Sequence, residues 1–288
     1  MIDPQGRVLI IAGSDSGGGA GIQADIKTCS AFGAYAMTAV TAVTAQNTLG
    51  VHAVEMMPAA LVEAQIEACL SDIGADVIKI GMLGTKEIIE TVAQAVDELD
   101  AFVILDPVAV ATSGDALLQD DAVAALRDTL LPLADLVTPN VPEAELLTGL
   151  KISDVDDLTK AGDALLERGV YAALMKGGHL KGKSVVDALV SEEGANIMSG
   201  PRLHTRHTHG TGCTLASAVA ANMALGLDLD EAVIRAREFV FEAIRTAPGF
   251  GSTKGHGPLN HGLAIGEEAE EETPPSNNPF AALKGLSS

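Results

Sequence analysis

Val8-Leu9-Ile10-Ile11-Ala12-Gly13-Ser14-Asp15-Ser16-Gly17-Gly18-Gly19-Ala20-Gly21-Ile22-Gln23-Ala24-Asp25 decides the fold. Its opening apolar run has the composition of a strand, its glycine cluster marks a turn, and helical spacing takes over from about Ala20. The alternation then repeats along the chain. Val77–Ile80 precedes a helical stretch at Lys86–Leu99, and Phe102–Leu105 precedes Asp121–Leu131. Leu136–Val137 precedes Pro142–Thr148, and Ala172–Met175 follows a helix over Asp154–Arg168. Short β-rich runs between longer helical ones predict an α/β fold, with a mostly parallel central sheet and helices on both faces. Two stretches break the rhythm and are expected as edge strands. Met37–Val54 reads as strands with no helix between them, and Val185–Val190 with Ala195–Met198 reads as an antiparallel hairpin.

Composition narrows the function. The chain has 288 residues, 47% of them hydrophobic, enough for one large core. The expected division is a single domain over 1–266 and an acidic, Glu- and Pro-rich tail over 267–288 that is too polar to offset its ordering entropy, with Phe280–Leu283 as a small docking segment at most. A net charge of −21 argues against a nucleic-acid surface, which needs a basic patch. It does not exclude a nucleotide, because the field at one cleft is local. Cys29, Cys69 and Cys213 form an odd set without metal-ligand spacing, which suggests a reducing compartment. The start Met-Ile-Asp-Pro-Gln-Gly lacks a signal-peptide pattern, and no stretch approaches about 18 uninterrupted apolar residues. A cytoplasmic protein with no membrane partner is expected.

The chemistry gathers at Thr208-His209-Gly210-Thr211-Gly212-Cys213-Thr214, ahead of a helix of small residues. A Gly-Thr-Gly turn opening a helix presents unpaired backbone N–H groups at the positive end of the helix dipole, a site for phosphate. Three further segments end strands at the same predicted sheet edge: the first glycine cluster, Asp106-Pro107, and Thr138-Pro139-Asn140-Val141-Pro142-Glu143. Ligands of open α/β sheets bind along that edge.

Two motifs are set aside. Gly177-Gly178-His179-Leu180-Lys181-Gly182-Lys183-Ser184 satisfies the P-loop pattern, but Val185–Val190 behind it is a β-branched run and not a helix. His204, His207 and His209 lie close together without an acidic or cysteine partner, so His209 reads as a loop-shaping residue and not a metal ligand.

From about residue 7 to 262 the chain resembles the hydroxymethylpyrimidine and phosphomethylpyrimidine kinases of the ribokinase superfamily. The resemblance is carried by Ala12–Asp25, Ala45-Gln46-Asn47-Thr48, Lys79-Ile80-Gly81-Met82-Leu83, Asp106-Pro107-Val108, Thr138–Ala144, Met175–His179 and His209–Thr214. It implies ATP-dependent phosphorylation, with Mg²⁺, of the hydroxymethyl group of an aminopyrimidine in thiamine synthesis, then of the monophosphate. The related sugar kinases place an Asp where Cys213 stands. A thiol at a helix start, with its pKa lowered toward neutrality, is expected to accept the hydroxyl proton, a service worth about 10²–10⁴-fold. Gly210, Thr211 and Gly212 would cradle the phosphoryl group with Lys176, and Asn140 and Thr208 would complete the ATP contacts. Glu143 and Asp106 would organise Mg²⁺, through waters.

For the substrate, the resemblance points to Gln46 at the aminopyrimidine edge, Met82 against the ring, close backbone approach at Gly13 and Ala20, Val108 in the wall, and Asp25 at the hydroxymethyl group. Ala109 and Thr112 depart from the Met and Lys frequent in relatives. Relatives also suggest a homodimer. Two other readings stay open: a pyridoxal or pyridoxine kinase of the same superfamily, and a catalytically silent pyrimidine-binding protein.

Overall fold

The computed structural model describes residues 6–97, 99–109, 118 and 120–263. The acidic stretch from Glu267, and Thr112, lie outside the described residues. The described strands form a sheet in the order β3-β2-β1-β4-β5-β6-β7-β8-β9. Strands β1 (Arg7–Ser14), β2 (Tyr35–Asn47), β4 (Val77–Ile80), β5 (Phe102–Leu105), β6 (Leu136–Val137) and β7 (Ala172–Met175) run parallel. β3 (Gly50–Met56) closes one edge antiparallel to β2, and the hairpin β8 (Ser184–Ser191) and β9 (Gly194–Pro201) closes the other. The expected strands without an intervening helix and the expected hairpin are therefore present. One detail differs: β2 is no edge strand, because it pairs in parallel with β1 over Arg7–Ala12 and leaves only β3 outermost.

The central strands are apolar on both faces because both are covered. Strand alternation sends Leu9, Ile11, Ile78, Ile80, Val103 and Leu105 into one core. That core is shared with α2 (Ala59–Asp72), α3 (Lys86–Val96), α5 (Val141–Thr148) and α6 (Val155–Leu166). Val8, Ile10, Val77, Ile104 and Leu136 face the other, beneath α1 (Gly21–Phe32), α7 (Thr211–Ala224) and α8 (Leu229–Arg245). The alternation of apolar runs does not mark α2 or α8. The helix expected at Asp121–Leu131 is shorter, α4 (Asp120–Ala125), and passes into a π-helical turn at Leu126–Leu130 and a 3₁₀ turn at Leu131–Leu133.

The P-loop look-alike is a 3₁₀ turn at Gly177–His179 followed by β8, so no helix faces a phosphate there. Its glycine has a packing reason: a Cβ at Gly177 would fall 1.8 Å from the Val186 carbonyl oxygen. Gly162 in α6 is similar, since a Cβ there would lie 2.6 Å from Val190 Cγ2. Gly162→Ala gains helix propensity of about 1 kcal/mol, but overpacking of about 1–3 kcal/mol opposes it. A lowered Tm is expected on thermal unfolding; a raised one would show that β8 gives way freely.

Candidate active site

Sheet order reverses between β2-β1 and β4-β5, and at this switch point the carboxyl ends of β1, β4, β5, β6 and β7 converge. Helix α7 begins above them. Its N-cap is Gly210 at φ 85°, with no side-chain cap and no acidic residue in the first turn. In α3, α5, α6 and α8, by contrast, the caps Thr85, Asn140, Asp154 and Asp228 each accept a backbone N–H. The Thr211 N–H donates to the Thr208 carbonyl at 3.3 Å, which leaves the N–H groups of Gly212 and Cys213 for an anion. Only glycine fits at 210, because a Cβ would sit 1.8 Å from the Gly19 carbonyl oxygen.

That close approach joins the two glycine loops, and Asp15 clasps them. Its carboxylate accepts the N–H groups of Gly17, Gly19 and Ala20 at 2.7, 3.0 and 2.9 Å and meets His209 Nε2 at 2.8 Å. Burial works to raise the Asp15 pKa, but His209 and these N–H groups bring it below the usual carboxylate value. His209 thus shapes the loop, as its sequence context suggests.

Lys176 stands beside Gly212. A Cβ at Gly212 would lie 3.2 Å from Lys176 Nζ and 3.5 Å from Asp106 Oδ2. Lys176 Nζ donates to Asp106 Oδ1 at 2.8 Å and lies 4.0 Å from Glu143 Oε2, while Thr138 Oγ1 donates to Asp106 at 3.1 Å. Burial opposes charge on Asp106, yet Lys176 and Lys79 hold its pKa below the ordinary value. Burial also works against charge on Lys176, and the two carboxylates more than reverse that. Glu143 is pushed up to about 7 by burial, against the pull of Lys176 and with the help of Asp106.

Asn140 and Glu143 also form a capping box: Glu143 Oε2 accepts Asn140 N–H at 2.8 Å and Asn140 Oδ1 accepts Glu143 N–H at 3.0 Å. The Asn140 carbonyl oxygen is thereby committed to α5. The Asn-x-x-Glu spacing is the signal for this. Asp106 and Glu143 are hard oxygen donors near the uncapped helix start, a set that suits Mg²⁺ bound with phosphate and water. Thr208 lends its carbonyl oxygen to Thr211 Oγ1 at 2.6 Å, which holds the turn.

The residues expected at the heterocycle lie on β2 and just after β4. Gln46 N–H donates to Ser16 Oγ at 2.8 Å, and Thr44 Oγ1 lies 3.2 Å from Gln46 Oε1. Met82 packs on Gly13, where a Cβ would come within 3.1 Å of the Met82 sulfur, and Thr41 Oγ1 holds the Met82 carbonyl at 2.6 Å. Val108 follows at the end of β5, partly exposed, and Ala20 caps α1 beside the glycine loop. The β2–β3 tip is tied down: His256 N–H donates to the Thr48 carbonyl at 2.8 Å, and Arg206 holds the Gly255 carbonyl at 3.1 Å. This strap links the Gln46 hairpin to the segment leading into Gly210.

Two site residues stand in surroundings that the sequence did not suggest. Asp25 is fully buried and its carboxylate is engaged within the protein: both oxygens accept Lys79 Nζ at 3.0 and 2.9 Å, and Ser217 Oγ adds a bond at 2.6 Å. For Cys213 the expected lowering of the pKa is reversed in direction. Burial pushes its thiol up to about 12, the Lys79 ammonium opposes this, and Asp25 and Asp106 add to it. Sequence reasoning gave no role to Lys79, Asp15, Thr138 or Ser217. A lysine inside Val77-Ile78-Lys79-Ile80 was the available signal, because a charge in a doubly covered strand requires a partner.

A family model described as phosphomethylpyrimidine kinase matches residues 15–260. The chain belongs to the phosphomethylpyrimidine kinase family. It is 48% identical over 254 residues to a hydroxymethylpyrimidine/phosphomethylpyrimidine kinase of Rhizobium meliloti, covering 88% of this chain and 96% of that protein. A Bacillus subtilis protein of the same description is 46% identical over 257 residues, covering 88% and 94%. Among solved structures, phosphomethylpyrimidine kinase of Clostridium difficile is 44% identical at a TM-score of 0.75, covering 83% of this chain and 99% of that one. A Staphylococcus aureus pyridoxal kinase in complex with ADP is 36% identical at a TM-score of 0.83, covering 90% and 94%. The family member described here is a kinase of the ribokinase-like fold.

The raised Cys213 pKa sets a pH dependence. The thiolate fraction grows with pH throughout the range below about 12. Alkylation of Cys213 by iodoacetamide, followed by mass spectrometry, is expected to climb about tenfold per pH unit from pH 7 to 9.5. A plateau near neutrality would mean that the thiol is already ionised at rest.

Proposed function

We propose that this kinase transfers the γ-phosphoryl group of ATP to the hydroxymethyl group of 4-amino-5-hydroxymethyl-2-methylpyrimidine, and then phosphorylates the monophosphate, in thiamine synthesis. The observation that carries the reading is the uncapped start of α7 facing Lys176 and Asp106, clasped to the loop that holds Gln46. The N–H groups of the first turn would receive the migrating phosphoryl group, and Lys176 would balance its charge. Gln46 offers a donor and an acceptor side by side, matching a ring nitrogen beside an amino group. Asp106 and Glu143 would hold Mg²⁺ through waters, and the ion would supply charge neutralisation between the phosphates. Cys213 would take the hydroxyl proton, and no covalent phosphoenzyme is involved.

The likeness to a pyridoxal kinase supports a second reading, since pyridoxal also carries a hydroxymethyl on a flat nitrogen ring. The ratio of kcat/KM for the two substrates decides between them, with the pyrimidine expected to be preferred. No ATP consumption with either substrate would end both readings and favour a silent binding protein. A homodimer, a cytoplasmic location and the absence of nucleic-acid and membrane partners complete the proposal. Three free cysteines and the lack of a membrane-length apolar helix among the described residues support the location. β3, outermost and mostly exposed, supports pairing of copies, which size-exclusion chromatography with light scattering tests.

Positioning and charge should outweigh deprotonation in a metaphosphate-like transition state. Gly212→Asp sets a carboxylate against Asp106 and beside Lys176. Its turnover is expected to fall by about 10²–10³-fold or more, at least as far as that of Cys213→Ala. Wild-type turnover in G212D would remove the α7 start from the reaction.

A further inference from the structure

Lys79 and Asp25 form an ion pair in which neither side chain has any solvent exposure. A buried pair is a poor stability device, because apolar residues of similar volume often do as well. Its location suggests another use. Alternation along β4 turns Val77 and Lys79 to the face covered by α1 and α7, opposite Ile78 and Ile80. Asp25 reaches from α1 and also accepts the Ser217 hydroxyl, and Ser217 lies one helical turn beyond Cys213 on the same face of α7. Gly81 leaves room at the end of β4, since a Cβ there would stand 3.0 Å from Lys79 Nζ.

The charges that act on the Cys213 sulfur come from four elements: Lys79 from β4, Asp25 from α1, Asp106 from the end of β5 and Lys176 from the end of β7. The Gly21 N–H also faces it. Of the two ammonium groups, Lys176 is held by Asp106 and Glu143 beside the phosphate turn, whereas Lys79 is enclosed beneath α7.

We infer that Lys79 is a positioning residue for phosphoryl transfer: its ammonium, locked by Asp25, is the fixed counter-charge that stabilises Cys213 as a thiolate. The inference rests on the reading of Cys213 as proton acceptor. The thiol first releases its proton to solvent. The thiolate then takes the proton of the substrate hydroxyl as that oxygen bonds to the γ-phosphorus. The bond from the γ-phosphorus to the bridging oxygen breaks, its electron pair leaves with ADP, and the thiol is restored.

The two partners of the pair make opposite predictions. Rates of Cys213 alkylation by iodoacetamide at pH 8.5, read by mass spectrometry, are compared in wild type, K79M and D25N. Removing the cation should slow the reaction about threefold or more, and removing the anion should accelerate it by a similar factor, because the gain in thiolate outweighs the loss in nucleophilicity. A pair that only supports the fold behaves differently: breaking it from either side loosens α7 and accelerates both variants. Rates that move in the same direction, or do not move, overturn the inference. Where K79M fails to fold, the K79M/D25N double variant, which leaves no unpaired charge, is compared with D25N. It should react more slowly, and an equal or faster rate overturns the inference. In turnover, K79M should lower kcat with KM for the pyrimidine retained. The alkylation assay uses no substrate, so it stands apart from any failure of the pyrimidine assignment.

Discussion

An ammonium group in the middle of a doubly covered sheet must be paired, and the Lys79–Asp25 contact meets that demand. The pairing constrains more than two side chains. Asp25 has to arrive from α1 at the level of β4, and Ser217 has to arrive from α7 to complete the carboxylate's bonds. One polar cluster therefore sets how two helices sit on the strand between them. Losing one partner of such a pair costs about 3–5 kcal/mol, a large part of a domain's net stability. The small residues Ala216, Ser217, Ala218, Ala220 and Ala221, all buried, let α7 lie close enough for the cluster to close.

With α1 and α7 placed, the loops at their starts meet. Gly19 backs onto Gly210 where a Cβ on either residue would collide with its neighbours, and Asp15 clasps both sides. The same glycine loop carries Ser16, which binds the backbone of Gln46. Gln46 and the start of α7 are thus tied to two ends of one short stretch of chain. Lys176, Asp106 and Thr138 enter from the parallel strands, whose carboxyl ends all point to this edge. Charge concentrates locally in a protein that is acidic as a whole, because each lysine here is held by carboxylates and shielded from water.

Much of this was legible beforehand. The runs Val77–Ile80, Phe102–Leu105, Leu136–Val137 and Ala172–Met175 are strands over those same residues, since short apolar runs bounded by turn residues leave little choice of period. Helices α2 and α8 were harder to mark. In α2 only Val62 and Ile66 are buried, so its apolar face is narrow. Of the site, the Gly-Thr-Gly turn and Lys176 were visible as residue types with few other uses. The partners of Asp25 were hidden, because a carboxylate in a motif says nothing about which way it faces. For Cys213 the direction of the pKa shift was hidden, because the carboxylates and packing around the thiol come from distant segments.

Local order in the chain determined the strands, the glycine turns and the family to which they belong, because period, chirality and the φ > 0 requirement act between near neighbours. Only the tertiary structure decided which charges face one another. Asp25 and Lys79 are 54 positions apart, Lys176 and Asp106 are 70 apart, and His209 and Asp15 are 194 apart. Pairings over such separations follow from sheet order and helix packing, and the environment they create moves the Cys213 thiol far from its solution value.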